Sequence, residues 1–199
     1  MRKLVFATSN PHKLEEIRSI LPDFQILGLK DLDIIYDIPE TGQSLEDNAL
    51  IKANFLFDIT NTPSFSEDTG LEVDCLSGEP GVHTARYGGD ERDPDKNMDK
   101  LLKNMKGEKN RRARFRTVIA YKTADKTLFF EGSVEGQIAL IKSGNQGFGY
   151  DPVFIPNGYK VTFADLNKAI KNKISHRAKA LFALLQYLNQ NPSTRQDPQ

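Results

Sequence analysis

The opening twenty or so residues constrain the fold most. KLVFAT, residues 3–8, is an apolar run of strand length, and SNPHKLEEIRSILPD, residues 9–23, carries a helix start inside it. Asn10 is a favourable N-cap, Pro11 suits the first helical position, and Pro22 ends the run. Leu14, Ile17 and Leu21 then fall on one face. A buried strand, a polar turn and a helix form the opening unit of an α/β fold.

The pattern continues along the chain. FQILGL, residues 24–29, reads as a second strand and DIIYDI, residues 33–38, as a third. Ser44 opens a helix over SLEDNALIKANFLFDIT, with Asp47 as capping-box partner and an apolar stripe of Ala49, Leu50, Ala53, Leu56 and Phe57. PSFSED, residues 63–68, reads as a strand that ends at a cluster of carboxylates. DPDKNMDKLLKNMKG, residues 93–107, is expected as a surface helix. Residues 114–141 read as an antiparallel hairpin that turns near Ala124–Lys126. SGNQGFGYDP is a glycine-rich loop, and VTFADLNKAIKN and SHRAKALFALLQYLNQ are helical, the second capped by Ser175. The tail, 191–199, has almost nothing to bury and is expected to be disordered. With no repeat and no linker, residues 1–190 read as one domain.

Composition narrows the function. Lys plus Arg and Asp plus Glu each number 27, so no overall field draws in nucleic acid or anionic membrane. Cys75 is the only cysteine, which rules out an internal disulfide and Cys-rich zinc sites and suits a reducing, cytoplasmic setting. The apolar run before Thr8 is too short for a signal peptide, and ALFALL, residues 180–185, is too short to span a bilayer.

Five motifs carry chemistry, four of them with a plainer structural alternative. In TSNPHK, Thr8, Ser9, Asn10 and Lys13 sit at a helix N-terminus, where anions settle; otherwise Asn10 only caps the helix and Lys13 faces water. In ETGQSLEDNALIK, Glu40 suits a cation and Lys52 a phosphate, with Asn48 one turn before Lys52; otherwise this is a capped amphipathic helix. SFSEDTGLEVD holds Glu67, Asp68, Glu72 and Asp74. Hard cations want such oxygens, and Thr69-Gly70 would let the backbone turn tightly; otherwise it is a charged turn, and Glu72 and Asp74 read as solvated in either case. SGNQGFGYDP offers Phe148 for stacking on a base and Asp151 as an acceptor for ring N–H groups, or is a loop whose aromatics cover the core. Finally, His176 and Arg177 of KNKISHRAKA sit at a helix start, where cations oppose the dipole. The basic run 103–116 reads as a solvated helix end and loop. No Gly-Lys pair occurs, so there is no Walker A loop.

Taken in order, TSNPHK, ETGQSLEDNALIKA, SEDTGLEVDCLSGEPGVHTARYGG, GFGYDPVFIP and ISHRAKAL resemble the non-canonical purine nucleoside triphosphate pyrophosphatases, the inosine/xanthosine triphosphatase family. The likeness spans Lys3 to about Leu188. It implies an elongated, two-lobed α/β fold around a long curved mixed sheet with flanking helices and a central cleft, usually assembled as a homodimer. It also implies Mg²⁺-dependent hydrolysis of ITP, dITP and XTP to the monophosphate and pyrophosphate. Carried onto these residues, the triphosphate loop falls on Thr8, Ser9, Asn10 and Lys13, the metal on Glu40 and Asp68, and a phosphate contact on Lys52. Asp68 doubles as general base, and Thr69 contacts substrate. Phe148, Gly149, Tyr150, Asp151, Lys171, His176 and Arg177 line the nucleoside pocket, and TARYGG lies near the cleft and dimer surface.

The resemblance suggests how the base is read. Inosine and xanthosine present a carbonyl at position six that would accept from His176 and Arg177, whereas the amino group of adenine would leave those donors unpaired. Rival readings are a related pyrophosphatase for other modified nucleotides, a nucleic-acid-binding module using residues 103–116, and a non-catalytic nucleotide sensor.

Overall fold

The computed structural model describes residues 2–35 and 38–191; the tail expected to be disordered lies outside them from residue 192 onward. In chain order the elements are β1 (Arg2–Phe6), α1 (Pro11–Ile20), β2 (Phe24–Leu27), α2 (Leu45–Thr60), β3 (Ser64–Val73), β4 (Pro80–Gly81), α3 (Pro94–Asn104), β5 (Arg112–Lys122), β6 (Thr127–Ile138), β7 (Phe154–Pro156), α4 (Lys168–Ile174) and α5 (His176–Gln190). The strands bond in the order β2-β1-β3-β5-β6-β7, with β4 on β3. β1 runs parallel to β2 and β3, while β4 and β7 pair antiparallel with β3 and β6, so the sheet is mixed and the fold is α/β.

Two compact units can be distinguished. The first takes the described chain up to Asp68, Thr117–Gly132 and the chain from Arg177; the second takes Thr69–Arg116 and Ser133–His176. β3, β5 and β6 each contribute residues to both.

In the first unit β1 is covered on both faces, which is why its sequence is apolar without alternation. Leu4 and Phe6 pack with Ile17 and Leu21 of α1, Phe65 of β3, and Leu181 and Leu184 of α5. Val5 and Ala7 face the other way, onto Leu29, Ile34, Ile38 and Leu56 of α2. Phe6 and Phe65, opposite each other in the β1–β3 register, stack at 4.7 Å and are fully buried. Burying such a ring stabilises the fold by about 1.5–3 kcal/mol. The second unit packs Leu71, Met98, Leu101, Ala113, Phe115, Val134, Ile138, Phe154 and Phe163 together.

Local signals held where capping chemistry was explicit. Asn10 accepts from the amides of His12 and Lys13, Pro11 opens α1, and Ser44 and Asp47 form the capping box of α2. Elsewhere the structure corrects the expectation. The DIIYDI strand is not formed by Ile34, Ile35 or Ile38, and residues 36 and 37 lie outside the described residues. Asp33 turns the chain through the left-handed region (φ 58°), and Ile34 and Ile38 are buried against α2 instead of pairing in the sheet. Thr69-Gly70 makes no turn, since β3 runs straight through it. Glu72 is not solvated, for its carboxylate lies 2.7 Å from Arg114 and 3.6 Å from Arg116 on β5. The helix expected from Val161 starts at Lys168. Thr162 and Asp165 bond each other and Ser143 instead, the competition by short polar side chains that disfavours helix.

Candidate active site

β3 sets the geometry. Successive side chains of a strand point to opposite faces, so Glu67 follows Phe65 towards α1 and α5, and Asp68 follows Ser66 towards α2. Both belong to the first unit, mid-way along β3 and just past its parallel pairing with the C-terminal end of β1 (Phe6 opposite Phe65), the strand end at which α/β folds place their ligands.

On the α2 face, the Lys52 ammonium lies 2.6 Å from Glu40 Oε1 and 3.4 Å from Asp68 Oδ1. Glu40 comes from the loop before α2 and Asp68 from β3, so two carboxylates distant in sequence meet on one cation. Burial works against the charge on Lys52, but Asp68, Glu40 and the hydrogen bond to Glu40 outweigh it and hold the ammonium above its ordinary pKa. Asn48, one turn earlier on α2 and 3 % exposed, donates from Nδ2 to Asp68 Oδ2 at 3.2 Å.

On the opposite face, Arg177 at the start of α5 is 1 % exposed. Its Nε and Nη2 bond Glu67 at 2.7–2.9 Å, and Nη1 bonds Glu16 of α1. Glu67 and Glu16 hold the guanidinium pKa above its usual value against the opposing effect of burial. Lys13 reaches Glu67 Oε1 at 3.3 Å. Two cations therefore meet two carboxylates, the arrangement a buried charge requires. Among the TSNPHK residues, Thr8 Oγ1 accepts from the Asn10 amide, Asn10 caps α1, and Ser9 is exposed.

The second unit holds a different set. Lys171 Nζ lies 2.6 Å from Asp151 Oδ2, with both side chains buried, and sits over the rings of Phe148 (4.9 Å) and Phe163 (5.7 Å). Asp151 also accepts from the Phe148 amide at 2.8 Å, which fixes the glycine-rich loop. A Cβ at Gly147 would lie 2.0 Å from that carboxylate, and the residue has φ 77°, so glycine is needed there. Gly149 also has positive φ (63°). Tyr150 donates to Thr84 O, and burial pushes its phenol above the usual range. His176 stacks on Phe115 at 4.7 Å. In the TARYGG segment, Tyr87 is clamped by Glu79, Asn104 and Lys100.

The structure thus brings Glu40, Lys52 and Asp68 together, and separately brings Phe148, Asp151 and Lys171 together. It places the Arg177 guanidinium on carboxylates that sequence reasoning had not paired with it. Thr69 is half-buried on β3. Sequence reasoning also passed over Glu16 and the contact of Asn48 with Asp68. The only available signals were the i, i+3 spacing of Lys13 and Glu16 and the i, i+4 spacing of Asn48 and Lys52.

Among the described residues no group of three or more His, Cys, Asp or Glu side chains is arranged to hold a metal. Glu40 and Asp68 alone still suit Mg²⁺, a hard ion that takes one or two carboxylates, keeps several waters and draws further oxygens from substrate phosphates.

The fold is α/β, and beside the parallel β1–β3 pairing it gathers two carboxylates on one buried lysine. Residues 4–187 match the Ham1 family, and the chain belongs to it. It is 46 % identical over 187 residues to a dITP/XTP pyrophosphatase of Flavobacterium johnsoniae, covering 94 % of this chain and 97 % of the relative. A dITP/XTP pyrophosphatase of Porphyromonas gingivalis is 49 % identical over 190 residues, covering 94 % and 98 %. The Staphylococcus aureus Ham1 protein structure superposes with TM-score 0.86 at 37 % identity, covering 96 % of this chain and all of that one. A HAM1 protein from Coxiella burnetii gives 0.87 at 34 %, with the same coverage.

Proposed function

We propose that this protein is a pyrophosphatase of non-canonical purine nucleoside triphosphates, cutting the α–β phosphoanhydride of ITP, dITP and XTP with Mg²⁺ and so cleansing the nucleotide pool. The observation that carries the reading is the meeting of Glu40 and Asp68 on the Lys52 ammonium. It gives one locus with both the carboxylates for a divalent ion and a cation for a phosphate. The names of the curated relatives support the substrate class.

Glu40 and Asp68 would hold the magnesium ion, which when bound supplies charge neutralisation to the phosphates. Lys52 and Lys13 add positive charge for a triphosphate tail. Asp68 orients the attacking water and takes its proton. The water oxygen bonds to the α-phosphorus as the bond to the bridging oxygen breaks, and pyrophosphate departs. Positioning and charge neutralisation supply most of the rate.

The base would meet the glycine-rich loop and its surrounding side chains. Phe148 stacks on it, Asp151 and Lys171 set the polar edge of the pocket, and His176 donates to the carbonyl at position six. Arg177, held by Glu67 and Glu16, acts indirectly, since the Glu67 carboxylate it holds also meets Lys13, the lysine proposed for the phosphates. The same reading gives a homodimer, the form the family resemblance implies, in the reducing cytoplasm that the lone Cys75 suits. Among the described residues no helix is long and apolar enough to cross a membrane.

The test is incubation of the protein with ITP and Mg²⁺ and identification of the products, alongside XTP, ATP and dUTP. IMP and pyrophosphate, with ATP and dUTP poorly cleaved, are expected. IDP and orthophosphate, or no cleavage of ITP, would contradict the reading.

A further inference from the structure

Asn48 lies between the two acidic elements of the proposed site. Its Nδ2 donates to Asp68 Oδ2 at 3.2 Å, and its Oδ1 accepts from the Gly42 amide at 2.8 Å. Gly42 follows Glu40 by two residues, so this one amide ties the loop that carries Glu40 to the strand that carries Asp68. The chemistry fixes its orientation. Flipped, the amide would set an NH₂ group against an N–H and an oxygen against a carboxylate, two repulsive contacts in place of two bonds.

The approach of the loop is equally restricted. A Cβ on Gly42 would lie 2.5 Å from Asp47 Cβ and 2.8 Å from the Asn48 nitrogen, so only glycine lets the backbone come this close to the start of α2. Asp47 accepts from the amides of Gln43 and Ser44, which seats the following turn on the same helix end. With Lys52 on Asp68 Oδ1 and Asn48 on Oδ2, both oxygens of that carboxylate have fixed donors from one face of α2.

We propose that Asn48 is a positioning residue for the hydrolysis, acting through Asp68 and the Glu40 loop; this rests on the function proposed above. It fixes the rotamer of the base and makes no contact with substrate. Its loss therefore lowers kcat and spares KM, the signature of an interaction realised in the reacting complex.

The experiment measures kcat and KM for ITP with Mg²⁺ in the wild type, Asn48→Ala and Asn48→Asp, with each fold checked by circular dichroism and thermal melting. Asn48→Asp keeps an acceptor for Gly42 and loses the NH₂ donor to Asp68. Both variants should lose about 10- to 100-fold in kcat, with KM within about threefold of wild type. Wild-type kcat in either folded variant, or a loss confined to KM, overturns the proposal. Failure of both variants to fold also overturns it, by making Asn48 a structural residue. A wild type that does not cleave ITP would instead refute the function proposed for the protein.

Discussion

The two units bury charge in different surroundings. In the first, Lys13, Lys52 and Arg177 meet Glu16, Glu40, Glu67 and Asp68, all mounted on β3, its flanking helices and the loop into α2. In the second, the Lys171–Asp151 pair sits among the rings of Phe148 and Phe163, beside a loop that depends on glycine. Rigid elements carrying opposed charges are preorganised for a charged ligand, because their dipoles need not reorganise during reaction. A buried ion pair under aromatic faces suits a flat ligand with a polar edge. The difference sets a network of opposed charges in the first unit against a single ion pair under aromatic rings in the second.

Arg177→Met would press hardest on this contrast. It leaves Glu67 and Glu16 buried without their shared cation, an uncompensated burial that costs about 5 kcal/mol. The check is a denaturant titration, in which a change below 1 kcal/mol would mean that the network contributes little. Lys171→Met removes a smaller network and should cost about 3 kcal/mol. Its functional effect should fall on recognition, with KM for ITP rising about tenfold and kcat nearly unchanged. A kcat collapse with KM unchanged would contradict a role for Lys171 in recognition.

The smallest effect concerns Asp165 in the second unit. Bonds from Ser143 and Thr162 hold its carboxyl below the usual carboxylate range. A depressed folded-state pKa gives stability that is present at neutral pH and lost as the pH falls through that value. The melting temperatures of wild type and Asp165→Asn should therefore differ slightly at pH 7 and converge in strong acid. A gap that widens on acidification would reverse the assigned sign.

What the sequence showed, and what it hid, follows from the range of the interactions. The α1 and α2 boundaries were legible because Asn10, Pro11, Ser44 and Asp47 act within three or four residues of themselves. Glu40, Lys52 and Asp68 were legible by resemblance, and their meeting is now a matter of distances. The Arg177–Glu67 bonds were not legible, because they join residues 110 apart through the packing of α5 beside β3. DIIYDI misled for a like reason: a short apolar run read as a strand, yet Asp33 turns the chain and tertiary burial took Ile34 and Ile38 towards α2, leaving Ile35 exposed. The acidic stretch read as a turn because Thr-Gly is turn-like, although β3 pairs through it.

The central claim is that a carboxylate on β3 activates water at a site shared with Glu40. Its most direct test is pyrophosphate release from ITP by Asp68→Asn, measured with Mg²⁺ and with ITP binding and folding followed in parallel. Turnover should fall about 10³-fold while the fold and ITP binding persist. Near-normal release of pyrophosphate by the folded variant would contradict the account.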